Sequence, residues 1–456
     1  MADRPRQRNA ARYAIGAAGL AGWLACVALV GCSPPSLDEP ADVADASEDV
    51  AVADTVAGDG AWDAAAHDGG GGAADAPDAA DASGTADASD AAVPGCPEIV
   101  PTAPPAALGL PTHYTRWIDV GGVPLVAAAD VGDAALRRAA WILARMLAGR
   151  PCLQQALARS GMRFGVIGKD AATTSMPEYA DLPKVWPDID WDTRGRGYGA
   201  TLMRPLCAGA EENLLQTLPD PWHGEVIFAH EAAHTIFEYA SRDLQGGAAR
   251  EAELGALRLK ALNGGFWQNT YAASSDAEYW AEGVQSWLGD NLEADPPNGI
   301  HNHVNTRAEL LAYDPGLAAF VAAILDPTPW PLRCSLEPTA TPASWPILPD
   351  PEQASCTYER VWLQDLGCDA PLQGTAGEAT VFELVHRGTT ALVADEFGPD
   401  GAVLQSVTLA PRSQVTRATA AGRRWRLRSP EGACVAVVQI AAGAERSRYA
   451  NEPPPD

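Results

Sequence analysis

The spacing of apolar side chains divides this chain into stretches of different character. An apolar run at 14–30, made mostly of Gly, Ala, Leu and Val, follows Arg4, Arg6, Arg8 and Arg12, and residues 33–95 then hold almost no large apolar side chain. From about residue 112 the period is mostly helical. Ala135, Ala139, Ile142, Leu143 and Met146 recur on one face and predict a helix over 134–147, followed by a short helix over 153–158 and a strand over 162–167. A loop is expected over 177–192 and strands over 198–203 and 213–216. Helices are expected over 225–241 and 249–262, the second stopped by Asn263-Gly264-Gly265. Residues 276–288 predict another helix, with Trp280, Val284 and Trp287 as its apolar stripe, and 305–325 is helical with a break at Pro315. Past Pro338, Pro342, Pro346, Pro349 and Pro351 the period changes to two, predicting strands over 380–385, 391–394, 403–409, 424–427 and 434–440 with a turn at 398–401. Few strands followed by packed helices indicate an α+β domain over 111–335. A Pro-rich linker over 336–355, a small all-β sandwich over 356–445 and a tail over 446–456 complete the expected order.

The chemistry concentrates in the helix predicted over 225–241. It contains His230-Glu231-Ala232-Ala233-His234. HExxH on a helix puts two imidazoles on one face, one turn apart, where both reach a single Zn²⁺ at roughly 2.0–2.1 Å. Glu231 projects beside them, where a carboxylate can take a proton from a zinc-bound water. A catalytic zinc needs a third protein ligand. The Gly and His that would extend the motif at 237 and 240 are replaced by Phe237 and Ala240, so a glutamate from a second helix is expected. The helix over 276–288 offers Glu278 and Glu282, four apart on one face, and spacing alone does not choose between them.

The stretch from Tyr271 through Ser275-Asp276-Ala277-Glu278 to Glu282 lies about forty residues after HExxH. It resembles the gluzincin peptidases related to anthrax lethal factor and the Pro-Pro endopeptidases. That resemblance implies a zincin-like fold with Zn²⁺ held by His230, His234 and Glu278. It also implies Glu282 as a supporting carboxylate, Glu231 as general base and Tyr271 as donor to the oxyanion. Trp280-Ala281-Glu282-Gly283 also resembles the W-x-E-G of aminopeptidase-type gluzincins, in which Glu282 would be the ligand; Tyr271 fits the Glu278 register. Farther on, the run from Gly401 to Leu427 resembles the β domain of the von Hippel–Lindau protein. Arg423 stands where that protein has its hydroxyproline-binding His, two residues before the matching Trp425, so only a binding-type sandwich is implied.

Composition changes the picture in three ways. The basic start and apolar run ending Leu29-Val30-Gly31-Cys32-Ser33 read as a secretory signal over 1–31. Its ending resembles a bacterial lipobox, which implies acylation of Cys32 and attachment at the cell envelope, at the outer membrane or cell surface. Fifteen acidic residues and no Lys or Arg fall in 33–95, so over half of the net charge of −27 belongs to an expected disordered tether over 32–110. This acidity argues against nucleic-acid binding. Secretion permits disulfides, and Cys152–Cys207 and Cys368–Cys434 are the expected pairs. Glu211-Glu212-Asn213 reads as a strand edge or turn, His301-Asn302-His303 as loop residues, and His223 has no assigned role.

The expectation is therefore a lipid-anchored zinc metallopeptidase acting on a peptide or protein substrate, with a β domain that binds a protein or surface ligand. Two alternatives stay open: a catalytically silent surface-binding lipoprotein, and a hydrolase of a non-peptide amide.

Overall fold

The computed structural model describes residues 100–325, 348 and 350–451. The expected signal, Cys32, the acidic stretch, Cys96, residues 326–347 with Cys334, and the last five residues lie outside the described residues. No helix among the described residues is long and apolar enough to cross a membrane. The architecture is mixed α/β, with helices and three sheets.

The first part is built on a five-stranded sheet in the order β1-β2-β3-β5-β4. It opens with a hairpin of β1 (Arg116–Val120) and β2 (Val123–Ala127), which the sequence analysis did not anticipate. Two helices, α1 (Asp133–Leu147) and α2 (Pro151–Arg159), carry the chain over to β3 (Arg163–Ile167), parallel to β2. Two short helical turns, α3 (Leu182–Val185) and α4 (Trp191–Arg194), occupy the expected loop. The strand expected over 198–203 shortens to β4 (Gly197–Tyr198), because Thr201 and Arg204 close a turn through the Thr201 hydroxyl and backbone. β5 (Leu206–Ala210) runs parallel to β3, and both are buried along their whole length, as strands covered on two faces are. α5 (Glu211–Leu214) forms where a strand was expected over 213–216.

Five helices cover the sheet and each other: α6 (Ile227–Ile236), whose end widens into a π turn over Phe237–Ser241, then α7 (Gly247–Asn263), α8 (Asp276–Leu288), α9 (Arg307–Tyr313) and α10 (Pro315–Ile324). α6 lies directly on β5. A Cβ at Gly209 would come within 2.7 Å of the Phe228 Cβ, so glycine is what permits this approach. Pro315 starts α10, with the Asp314 carboxylate capping the Leu317 N–H at 3.0 Å.

The second part comprises β6 (Arg360–Trp362), β7 (Ala379–His386), β8 (Leu392–Phe397), β9 (Val403–Leu409), β10 (Ser413–Ala420), β11 (Arg424–Arg428), β12 (Cys434–Gln439) and β13 (Arg446–Asn451). They form two sheets, β10-β7-β13-β6 and β12-β11-β8-β9, around a shared core that includes Phe382, Leu384, Leu427 and the fully buried Trp425. Residues 446–451, expected as tail, are a strand parallel to β7 and β6. At the other end, Thr102 exchanges two backbone hydrogen bonds with Trp117, so residues assigned to the expected tether over 32–110 take part in the fold.

The cysteine expectation is corrected in one pair. Cys368–Cys434 is bonded as expected, tying the 368 loop to β12. Cys152, however, pairs with Cys356, 204 residues away, and Cys207 is a free thiol buried inside β5. The reason is strand direction and depth: every position of β5 is enclosed, whereas Cys152 sits at the start of α2 beside the segment that leads into the sandwich. The same seam is closed by polar contacts. Asp243, just past the π turn of α6, accepts from Arg448 at 3.1 Å and Trp362 at 2.8 Å, and Arg448 also donates to Glu383 at 2.7 Å. Arg387 donates to the Leu202 carbonyl at 2.6 Å.

Candidate metal centre

α6 has no local capping side chain, since Val226 precedes it. Asn213 of α5 supplies the cap instead: its Oδ1 accepts from the Ile227 N–H at 2.8 Å, while its Nδ2 donates to Asp220 and to the Glu225 carbonyl. The strand side is fixed to α6 as well. The Thr235 hydroxyl donates to the Glu231 carbonyl and accepts from the Ala200 N–H, both at 3.0 Å. Gly197 lets β4 come close, because a Cβ there would lie 2.6 Å from Ile227.

α8 is started by Ser275, whose hydroxyl accepts from the Glu278 N–H at 3.1 Å, and acidic Asp276 and Glu278 fall in its first turn, where the helix dipole favours them. Trp280 locks α8 to α6, donating from its indole to the Ala233 carbonyl at 2.8 Å and packing on Phe237 and Phe320. Tyr271 is placed by a single helical turn held by its N–H on the Ile300 carbonyl at 2.8 Å.

These supports bring three donors together. His230 Nε2 lies 3.0 Å from Glu278 Oε2 and 3.0 Å from His234 Nε2, and His234 Nε2 lies 3.2 Å from Glu278 Oε2. Such a triangle leaves room for an ion about 2 Å from each atom, the bond length of a first-row metal to nitrogen or oxygen. The group is buried except for His234, whose side chain is partly open. His230, His234 and Glu278 could therefore hold a metal ion.

Glu282 sits elsewhere. Its Oε1 is 3.8 Å from His230 Nδ1, the ring nitrogen facing away from the triangle, and its Oε2 accepts from Asn291 at 2.8 Å. The Tyr271 hydroxyl donates to Glu278 Oε1 at 3.1 Å, and its ring lies over His230. Glu231 is buried yet lines the same cleft as the three donors, also bounded by Arg194, Tyr198, Trp222 and Tyr271.

Electrostatics match a site built for positive charge. Burial works against protonating His230, but the hydrogen bond and charge of Glu278, with Glu231 and Glu282, push its pKa up to about 10. Burial likewise opposes the charge on His234, yet Glu278 raises it too. Burial would raise Glu278; the two imidazoles instead hold it well below the usual carboxylate range. An ion there would take over the role these protons play in balancing the carboxylates.

Sequence reasoning missed the polar layer behind the triangle. His230 Nδ1 meets Gln285 Oε1 at 2.7 Å, and Gln285 Nε2 donates to Glu225 at 3.3 Å. Gln285 follows Glu278 by seven residues on one face of α8, a spacing that could have flagged it. His301, read as a loop residue, is buried 3.8 Å from Glu225 and 4.0 Å from Glu282. Burial, together with Glu282, raises Glu225 to about 8, while burial and the His230 charge lower His301 to about 4. His303 packs edge-on against Tyr313, and His223 is exposed. Glu211 and Glu212 serve local structure: Glu211 accepts from the Gly132 N–H and Glu212 pairs with Arg196 at 2.7 Å. No protein-family model and no curated protein matches the sequence, so the reading of this site rests on its geometry and chemistry.

Proposed function

We propose that this chain is a zinc-dependent endopeptidase of the gluzincin kind, with a zincin-like catalytic part and a von Hippel–Lindau-like β sandwich, held at a bacterial cell envelope by a lipid on Cys32. The observation that carries the reading is the convergence of His230 Nε2, His234 Nε2 and Glu278 Oε2 within 3.0–3.2 Å at a cleft that Glu231 also lines. Two neutral imidazoles and one carboxylate are the donor set of a catalytic zinc with an open position. Bound there, zinc supplies a Lewis acid and a water acidic enough to be deprotonated near neutral pH.

The remaining steps belong to the chain. The Glu231 carboxylate accepts the proton of the attacking water and passes it to the nitrogen of the leaving amine. The Tyr271 hydroxyl, now on Glu278 Oε1, is close enough to the donors to turn towards the substrate carbonyl oxygen as charge develops there. Gln285 accepts from His230 Nδ1–H and so fixes the tautomer that leaves Nε2 free to coordinate.

The test is zinc stoichiometry and peptide hydrolysis on the native chain and three variants. One zinc is expected per chain, lost in Glu278→Ala and kept in Glu282→Ala. Glu231→Gln should keep the zinc while hydrolysis drops by roughly 10²–10⁴-fold. Zinc loss in Glu282→Ala with retention in Glu278→Ala would move the ligand to Glu282. A zinc-loaded native chain that cleaves nothing in a broad peptide library would support the binding lipoprotein instead.

A further inference from the structure

Among the described residues, Arg194 is the one cation of the cleft wall that no carboxylate pairs with. Arg196, two residues on, is tied to Glu212 at 2.7 Å and to the carbonyls of Ala171 at 2.5 Å and Gly168 at 3.0 Å. Arg194 ends the short turn α4, half-buried, with its guanidinium 5.5 Å over the Trp191 ring and its Nε buried without a hydrogen-bond partner. No carboxylate among the described residues pairs with it, although Asp190 and Asp192 are close in sequence. Asp190 caps the Asp192 N–H, and Asp192 accepts from the Thr174 N–H and hydroxyl. The wall around Arg194 is stiff: Tyr198 donates to the Trp191 carbonyl at 3.2 Å and packs edge-on against the Trp191 ring.

A guanidinium presents planar donors matched to a carboxylate. We propose that Arg194 selects substrates by binding a substrate carboxylate in the cleft, either an Asp or Glu side chain or the C-terminal carboxylate of a peptide. This rests on the peptidase reading for the meaning of the cleft, and it adds the substrate class. Of the acidic groups already in the cleft, Glu278 pairs with the two imidazoles and Glu231 is the proposed general base. Arg194 is the cation that remains for a ligand.

The experiment uses the full zinc-loaded chain carrying Glu231→Gln, so that peptides bind without being cut. Probes are fluorescent octapeptides in which one Asp is moved through every position, a matched Asn series, and both series with free and with amidated C-termini. One Asp register, or the free C-terminus, should bind about 10–10²-fold more tightly than its neutral match. The difference between the two series names the source of the carboxylate. Arg194→Gln should abolish the preference and Arg194→Glu should reverse it, with zinc content in each variant reporting that the fold is intact. Equal binding of acidic and neutral probes, or a preference that survives Arg194→Gln, would overturn the inference. Hydrolysis by the Glu231-intact chain is read separately: cleavage without acidic preference removes this inference and keeps the peptidase, while acidic preference without cleavage does the opposite.

Discussion

Replacing Gln285 with Leu separates metal affinity from general stability. Gln285 is fully buried on α8, with Oε1 2.7 Å from His230 Nδ1 and Nε2 3.3 Å from Glu225. Leucine nearly fills the space but accepts nothing, so the His230 ring can carry its proton on either nitrogen and turn more freely. The neighbouring carboxylate oxygen, Glu282 Oε1, is 3.8 Å away and beyond hydrogen-bond length. Loss of the partner that orients a metal-binding histidine typically weakens metal affinity about 10–10²-fold, or about 1.4–2.7 kcal/mol. The metal-free protein should lose a further, separate amount of about 1–3 kcal/mol, the cost of leaving a buried donor unpaired. Zinc affinity is measured by competition with a chromophoric chelator near neutral pH, and apo stability by urea unfolding. Gln285→Glu keeps an acceptor and should recover most of the affinity. If Gln285→Leu binds zinc within about threefold of the native chain while its apo stability falls, the glutamine holds the core together and does not tune the metal.

Three other outcomes are expected. Tyr271→Phe should keep fold and zinc but lower kcat by about 10²–10³-fold with little change in KM, because its hydroxyl acts on the developing oxyanion; a kcat change under about threefold would leave it only a partner of Glu278. Arg448→Met removes the ion-pair partner of buried Asp243 and one of the two cations on Glu383, which keeps Arg446 at 3.3 Å, and should destabilise the protein by about 3–5 kcal/mol in urea unfolding; a loss below about 1 kcal/mol would show that the seam does not depend on this residue. His301 is depressed to about 4 in the folded chain from 6.5, so the unfolded chain binds its proton first and stability falls as pH drops from about 6.5 to about 4. That contribution is about 3 kcal/mol and should vanish in His301→Gln, as followed by melting temperature across the pH series; an unchanged acid profile in the variant would assign the loss to other groups.

The sequence by itself determined what depends on neighbours along the chain. His230 and His234 share a face because the helix repeat puts i and i+4 together, and the same repeat paired Glu278 with Glu282. The helices around 134–147, 249–262 and 276–288 and most strands of the sandwich follow from apolar period, and Cys368 and Cys434 lie within the same small β unit. Tertiary structure decided everything that depends on facing a distant segment. Two glutamates one turn apart differ by only a small rotation of α8, and Trp280 on the Ala233 carbonyl fixes that rotation so that Glu278 meets the imidazoles and Glu282 lies behind His230. Cys152 finds Cys356 across 204 residues because the sandwich docks beside α2, a contact that leaves no local trace. β13 looked like a tail because its burial comes from two parallel neighbours, β7 and β6, and not from its own alternation. The cap on α6 comes from Asn213 fourteen residues earlier, and the layer of Gln285, Glu225 and His301 forms only when α6, α8 and the 301 loop enclose it. Local periodicity can place a side chain on a helix face, but burial and hydrogen-bond partners are set by what packs against that face.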